Sequence, residues 1–309
     1  MSRQAFGRGV AVLKWYTLLA AVLVLVLLSL LSVHNRPAHT MATWIWDAKR
    51  IESQTEEIIA FAEQNGITLI YLHIKPVEVS PEAYRRFNQH AHAAGIKVEA
   101  LGGDPNWAYA ANRGSIGYFV SWVKAFNSQV KEEERFAGIH VDIEPYVLPD
   151  WKKQQEQIVR QWLENMEYLV VETKKDSALP VGADLPFWID ELHVPGTEQT
   201  VSGWMLERLD SITLMAYRNH AQGANGIVDI VQNIIVEADG LRDRSVIVGV
   251  NIRDSGEGEN VSFHAHGTAE MKSQLALLQE ELGRNPSYAG SAIHDFESWT
   301  TILEREEKS

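Results

Sequence analysis

Residues 138–146 read Gly138-Ile139-His140-Val141-Asp142-Ile143-Glu144-Pro145-Tyr146. A β-strand turns successive side chains to opposite faces, so Ile139, Val141 and Ile143 share one face and His140, Asp142 and Glu144 the other. The apolar face needs a layer to pack against. The opposite face carries three ionisable groups in a row, which are costly to bury unless paired or put to use. A parallel barrel wrapped in helices satisfies both faces: aliphatic side chains go outward against helices, and polar ones go into the mouth of the barrel.

Working outward, the flanking sequence keeps the same rhythm. Upstream lie strands at 43–46, 68–74 and 96–101. A helix from Glu56 to Gln64 stops at Asn65-Gly66, a second opens at Ser80-Pro81-Glu82 and ends at Gly95, and a third covers 116–134. Ser as N-cap, Pro at the first helical position and Gly at the end are the expected helix boundaries. Downstream, a long helix over 151–174 leads to strands at 180–184, 211–217, 245–250 and 288–294, with helices at 227–238, 270–282 and 299–306. Alternating β and α elements imply a parallel sheet, and eight such units over about 270 residues fit a (β/α)8 TIM barrel spanning 41–309. The alternative is a doubly wound open sheet, but no Gly-rich phosphate fingerprint supports it.

The chain has 309 residues, 45% of them hydrophobic, a formal net charge of −13 and no cysteine. A nucleic-acid role is disfavoured, because phosphate binding needs a basic stripe. Disulfides, thiolate metal sites and cysteine nucleophiles are excluded. Neither a cofactor nor a metal is expected: His264 and His266 form an isolated His-x-His without further ligands at fixed spacing. No Gly-x-Ser-x-Gly elbow marks a serine hydrolase.

The N-terminus sets the expected compartment. Residues 15–33 are free of charge and rich in Leu, Val and Ala, and follow Arg3, Arg8 and Lys14. About 20 such residues span a bilayer, and the preceding positive charges place 1–14 in the cytoplasm. A transmembrane helix at 15–33, a polar linker at 34–40 and an external barrel are the expectation. The alternative is a cleaved signal peptide, whose apolar region is usually about 7–15 residues. Without a cysteine to acylate, a lipoprotein is excluded.

Barrel active sites sit at the C-terminal ends of the strands. The polar residues expected there are Asp47, His73, Lys75, Asp104, Asp142, Glu144, Asp184, Tyr217, Arg218, Asn251, His294, Asp295 and Glu297. Trp44, Trp46, Trp107, Tyr146, Trp188 and Trp299 accompany them. Flat aromatic faces beside carboxylates suit sugar rings. Two carboxyl groups as close as Asp142 and Glu144 do not both ionise readily, so one pKa should rise. A carboxylic acid with a raised pKa is what glycoside hydrolysis needs to protonate a leaving oxygen. The competing reading is a hydrogen-bonded cluster without chemistry.

The segment resembles the fourth-strand motif of family 18 glycoside hydrolases, the chitinase-like barrels, whose pattern is Asp-x-x-Asp-x-Asp-x-Glu. Asp142 and Glu144 match its last two acids, while Ala137 and His140 stand at the first two. Met215-Ala216-Tyr217 is similar to the family's Met-x-Tyr-Asp, with Arg218 in place of the aspartate. Trp299 resembles the tryptophan that floors the family's sugar subsite. The runs 44–47 and 140–146 are also similar to membrane-anchored, chitinase-like bacterial proteins. The resemblance implies a substrate-assisted retaining mechanism on an N-acetylhexosamine polysaccharide. In it Glu144 acts as the acid, with Asp142 and Tyr217 orienting the substrate's acetamido group. The substrate-binding residues would be Trp44, Trp46, Asp47, His73, Trp107, His140, Tyr146, Asp184, Trp188, Arg218, Asn251, Asp295, Glu297 and Trp299. A non-catalytic carbohydrate-binding barrel and a cell-envelope scaffold are the alternatives.

Overall fold

The computed structural model describes residues 39–254, 256 and 258–308. The expected cytoplasmic segment 1–14, the apolar stretch 15–33 and residues 34–38 of the linker lie outside them. Among the described residues no helix is long and apolar enough to cross a membrane.

Eight parallel strands close on themselves in sequence order. They are β1 (Thr40–Ile45), β2 (Leu69–His73), β3 (Lys97–Gly102), β4 (Gly138–Asp142), β5 (Val181–Pro186), β6 (Ser211–Met215), β7 (Val246–Asn251) and β8 (Tyr288–His294). Closure comes from β8 pairing with β1, Thr40 opposite Gly290 through Thr43 opposite Ile293. A helix follows each strand: α1 (Thr55–Gln64), α2 (Pro81–Ala93), α3 (Arg113–Gln129), α4 (Trp151–Lys174), α5 (Val201–Arg208), α6 (Ile227–Asp239), α7 (Gly267–Leu282) and α8 (Phe296–Glu307).

Local chemistry explains most boundaries. The Ser80 hydroxyl accepts from the Ala83 N–H at 3.3 Å and Pro81 opens α2. Gly66 adopts φ +67° just beyond α1, a conformation that costs a side-chain-bearing residue 1–2 kcal/mol or so, roughly. Some boundaries differ from the sequence reading. Thr40, expected in the linker, already belongs to β1, because barrel closure recruits it to pair with β8. The third helix stops at Gln129, and 132–134 form a separate 3-10 turn. Helix α5 escaped the sequence reading altogether. It is only eight residues long, too short to show a clear apolar period, and is fixed by tertiary contacts. The Glu237 carboxylate on α6 accepts from the hydroxyls of Thr200 and Ser202 at 2.5 and 2.6 Å.

Two cores result. The outer one lies between strands and helices and includes Ile139, Val141 and Ile143. The inner one fills the lumen with Ala42, Trp44, Leu69, Tyr71, Leu101, Ile247, Ala289 and Ala292. The period-2 reading of β4 therefore holds on its apolar face.

At the top of β3 the chain passes very close to β4. A Cβ on Gly103 would lie 1.9 Å from the Asp142 carbonyl oxygen, and one on Gly102 would lie 2.9 Å from the Phe119 ring. Backbone against backbone cannot give way as a flexible side chain can. Gly103→Ala is expected to lower the unfolding free energy by about 3 kcal/mol or more in urea titration. Gly240→Ala, where a Cβ meets nothing within 4 Å, should stay close to the parent.

Candidate active site

Strand register gathers the site. On β4, His140 and Asp142 point inward and Glu144 follows just past the strand end. Asp142 pairs with Asp184 of β5, and Glu99 of β3 pairs with Tyr71 of β2. At the centre is His140, fully buried. Its Nε2 lies 3.0 Å from Asp184 Oδ1, and its Nδ1 lies 3.6 Å from Glu99 Oε2. The second distance is an ion-pair contact, too long for a hydrogen bond, and neither of those two atoms has a hydrogen-bond partner. The Tyr71 ring stacks on the imidazole at 3.9 Å, and its hydroxyl meets Thr213 Oγ1 at 2.8 Å. The second oxygen of Asp184 accepts from the Trp44 indole at 2.9 Å.

Burial alone would lower the His140 pKa. The Asp184 and Glu99 carboxylates outweigh it and push the value up to about 9, so the lumen holds an imidazolium between two acids. Asp142 titrates well above the usual carboxylate range. Burial is the main cause, followed by the neighbouring carboxylates of Asp184 and Glu144, with His140 opposing them. Its Oδ1 is buried without a hydrogen-bond partner. The Tyr146 hydroxyl donates to Glu144 Oε2 in a short hydrogen bond. Tyr217 keeps its proton far above the normal phenol range, through burial and then the surrounding carboxylates. The arrangement is a neutral Asp142 beside Glu144, facing a phenol that is always a potential donor. That is a proton source with an adjacent orienting group.

Aromatic walls flank these groups. Trp188 meets Tyr146 edge-on at 5.0 Å. On the other side Trp46 contacts His73 at 5.5 Å, and its indole donates to His294 Nε2 at 3.1 Å. An indole N–H can only donate, so His294 Nε2 accepts and the ring is neutral. Burial, which lowers the His294 pKa, agrees with this. The ring lies 5.4 Å from Trp44 and 5.7 Å from Tyr217.

Other residues from the sequence reading sit elsewhere or are engaged in local structure. Trp299 is a correction. It lies on α8, 1% exposed, packed edge-on against Phe61 at 5.1 Å in the outer core, because α8 begins right after β8 and turns that position toward α1. The inward position at the end of β8 belongs to His294. Asn251 is 2% exposed and accepts from the Arg253 N–H at 2.9 Å. Asp295 caps α8 by accepting from the Ser298 N–H. Glu297 accepts from the Asp47 N–H at 3.0 Å and is shifted upward by burial, while Asp47 itself is exposed at the rim. Arg218 extends over the Phe187 ring and donates to Asn225 Oδ1. Asp104 caps the short turn that carries Trp107. Lys75 offers its backbone N–H to the Tyr84 hydroxyl. Among the described residues no cluster of His, Asp and Glu could hold a metal ion.

Glu99 and Tyr71 were not singled out from sequence. The signal for Glu99 was present: it alternates with Val98 and Ala100 in an otherwise apolar strand interior, where an inward glutamate needs a cationic partner.

No family model and no curated protein matches the chain. Solved structures are similar to it. A mutant GH18 chitinase from Cycas revoluta in complex with (GlcNAc)4 covers 86% of this chain and 98% of its own, with a TM-score of 0.56 and 12% identity. The C-terminal domain of a putative chitinase from Desulfitobacterium hafniense covers 87% and 97%, with a TM-score of 0.57 and 11% identity. A chitinase from Bacteroides thetaiotaomicron covers 87% and 96%, with a TM-score of 0.56 and 14% identity. At these identities the likeness is one of fold: this chain has the barrel that the chitinases have.

His140 should titrate near pH 9 in 15N spectra of histidine-labelled protein, and Asp184→Asn should bring that value down. Its folded pKa exceeds the unfolded value of about 6.5. Its stabilising contribution, roughly 3 kcal/mol, is therefore complete below pH ~6.5 and is lost as pH rises through about 9. Denaturation across that window measures the loss.

Proposed function

We propose that this protein is a glycoside hydrolase acting on an N-acetylhexosamine-containing polysaccharide. The single observation that carries the reading is the Asp142–Glu144 pair at the C-terminal mouth of the barrel, where burial and like charge keep Asp142 protonated. The similarity of the fold to chitinase structures, one of them holding a (GlcNAc)4 ligand, supports the choice of substrate class.

In this reading Glu144 delivers the proton held by the pair to the glycosidic oxygen, and the bond from that oxygen to the anomeric carbon breaks. The acetamido carbonyl oxygen of the same sugar bonds to the anomeric carbon from the opposite face. Tyr217, which keeps its proton, donates to that carbonyl oxygen. Asp142, once ionised, accepts the acetamido N–H. Water then opens the cyclic intermediate, with Glu144 taking its proton, and configuration is retained. The departures from the family pattern at Ala137, His140 and Arg218 raise the alternative of a binding barrel without catalysis. The catalytic reading is favoured because Asp184 and Glu99, on neighbouring strands, bring carboxylates to the place where β4 lacks them. The apolar stretch 15–33 supports anchoring at a membrane with the barrel outside; protease protection in sealed vesicles tests that orientation.

Full-length protein is expected to release reducing ends from N-acetylglucosamine oligosaccharides or from peptidoglycan glycan strands. Glu144→Gln should reduce turnover by about a thousandfold or more, since it removes the proton donor and leaves binding in place. Equal turnover by both proteins would sink the assignment of Glu144. Binding without turnover in the parent would favour the non-catalytic barrel.

A further inference from the structure

Arg218 follows Tyr217 just beyond the C-terminal end of β6 and is half-buried. Its guanidinium is held by three neighbours. Nε and Nη2 donate to Asn225 Oδ1 at 3.2 and 3.0 Å, Nη1 donates to the Tyr217 carbonyl at 2.8 Å, and the centre of the Phe187 ring is 4.9 Å away. Two of these neighbours lead directly to the carboxylate site. The Tyr217 phenol stands in the field of Asp142 and Glu144, and its ring lies 5.7 Å from His294. Phe187 is followed by Trp188, whose ring meets Tyr146, the residue that donates to Glu144.

A guanidinium carries five N–H donors. The contacts above use three of them, which leaves two, the number that a carboxylate takes in a bidentate pair. No carboxylate among the described residues fills that place. Arg85, Arg208 and Arg242 have one at 2.8, 2.8 and 3.2 Å, whereas none is at ion-pair distance from Arg218. Acids outnumber bases 41 to 28 in this chain, so a partner for a rim arginine is easily supplied. Asp229, in the first turn of α6, instead accepts from the Asn225 N–H at 2.8 Å and so braces the residue that holds the guanidinium. Position 218 is also where the chitinase-like pattern has an aspartate, so the sign of the charge next to Tyr217 is reversed. The net charge of −13 repels anions at long range. A fixed cation with spare donors selects one at short range.

We propose that Arg218 is a specificity-determining residue that binds a carboxylate carried by the glycan, so that the preferred substrate is an anionic amino-sugar polymer. The inference rests on the proposed hydrolase reading, which sets an N-acetylhexosamine in front of Tyr217. The carboxylate belongs to a substituent on that sugar or to a neighbouring sugar. Two chemistries supply it: a lactyl ether on the amino sugar, as in N-acetylmuramic acid, or a uronic acid alternating with the amino sugar. Both present the same planar pair of oxygens to the same guanidinium. Neutral N-acetylglucosamine chains lack this contact and are the poorer ligands.

Calorimetry on full-length Glu144→Gln protein, which binds without cleaving, tests this with two tetrasaccharides. One alternates N-acetylglucosamine with N-acetylmuramic acid, the other alternates it with glucuronic acid, and each is compared with its carboxyl-reduced form. At least one acidic form is expected to bind about tenfold tighter or more than its reduced counterpart, in keeping with a charge-assisted contact. The glycan that shows the preference identifies the source of the carboxylate. Adding Arg218→Gln should bring the ratio of acidic to reduced affinity close to one, whereas damage to the loop alone would weaken both forms and leave the ratio. Arg218→Lys keeps the charge without the fork and should retain part of the preference. A ratio near one for both glycans before Arg218 is changed, a ratio that survives Arg218→Gln, or binding of no glycan would overturn the proposal. A ratio lost in Arg218→Gln, together with no turnover by protein carrying Glu144, would uphold the carboxylate site and remove only the hydrolase. Turnover of neutral oligosaccharides with a ratio of one would do the reverse.

Discussion

The electrostatics of the barrel lumen depend on one buried ion pair system, the His140 imidazolium between Asp184 and Glu99. A charge placed in a low-dielectric interior survives only with partners. Here the two partners come from the strands on either side of β4, so the ionic contact also ties β3, β4 and β5 together at the level of the site. Asp184 is held by His140 on one oxygen and by the Trp44 indole on the other. Fixed in that way, it raises the Asp142 pKa by like charge and adds to the field that keeps Tyr217 protonated. Removing the imidazolium would leave the Asp184 and Glu99 carboxylates in the lumen without the cation they share.

This arrangement gives a physical account of the differences from the chitinase-like strand motif. On β4 itself the two upstream acids are absent, replaced by Ala137 and His140. The carboxylates reappear one strand away on either side. A closed barrel makes such a transfer inexpensive, because inward residues of neighbouring strands at one level are near neighbours in space. Acidic character belongs to a layer of the lumen rather than to one strand. The cation at position 140 then follows from the need to neutralise Glu99 and Asp184.

The rim has a different logic. Its polar side chains mostly hold the loops in place: Asp295 caps α8, Asn251 closes its own turn, Glu297 takes the Asp47 N–H and Asp104 caps the turn bearing Trp107. The Asp104 cap fixes the turn that carries Trp107, and the Glu297 contact holds the Asp47 backbone next to Trp46. The tight passage of Gly103 against the Asp142 backbone, and of Gly102 against the Phe119 ring, sets where the loop bearing Trp107 begins.

From the sequence alone came the eight strands, seven of the eight helices that follow them, the outward apolar face of β4, the helix start at Ser80-Pro81 and the inward line of His140, Asp142 and Glu144. All are local consequences of side-chain period and backbone chemistry, so a linear reading can recover them. What only the tertiary structure decided was which residues meet. Glu99 and Tyr71 joined His140 because register aligns three strands. Thr40 became strand because closure required it to pair with β8, and the two turns of α5 formed because Glu237 accepts from Thr200 and Ser202. Trp299 left the expected site because its helix begins directly after β8 and turns the ring outward, leaving His294 in the lumen. In each case the deciding energy comes from partners between about 30 and 250 positions away in the chain, and neither composition nor periodicity reports partners at that distance.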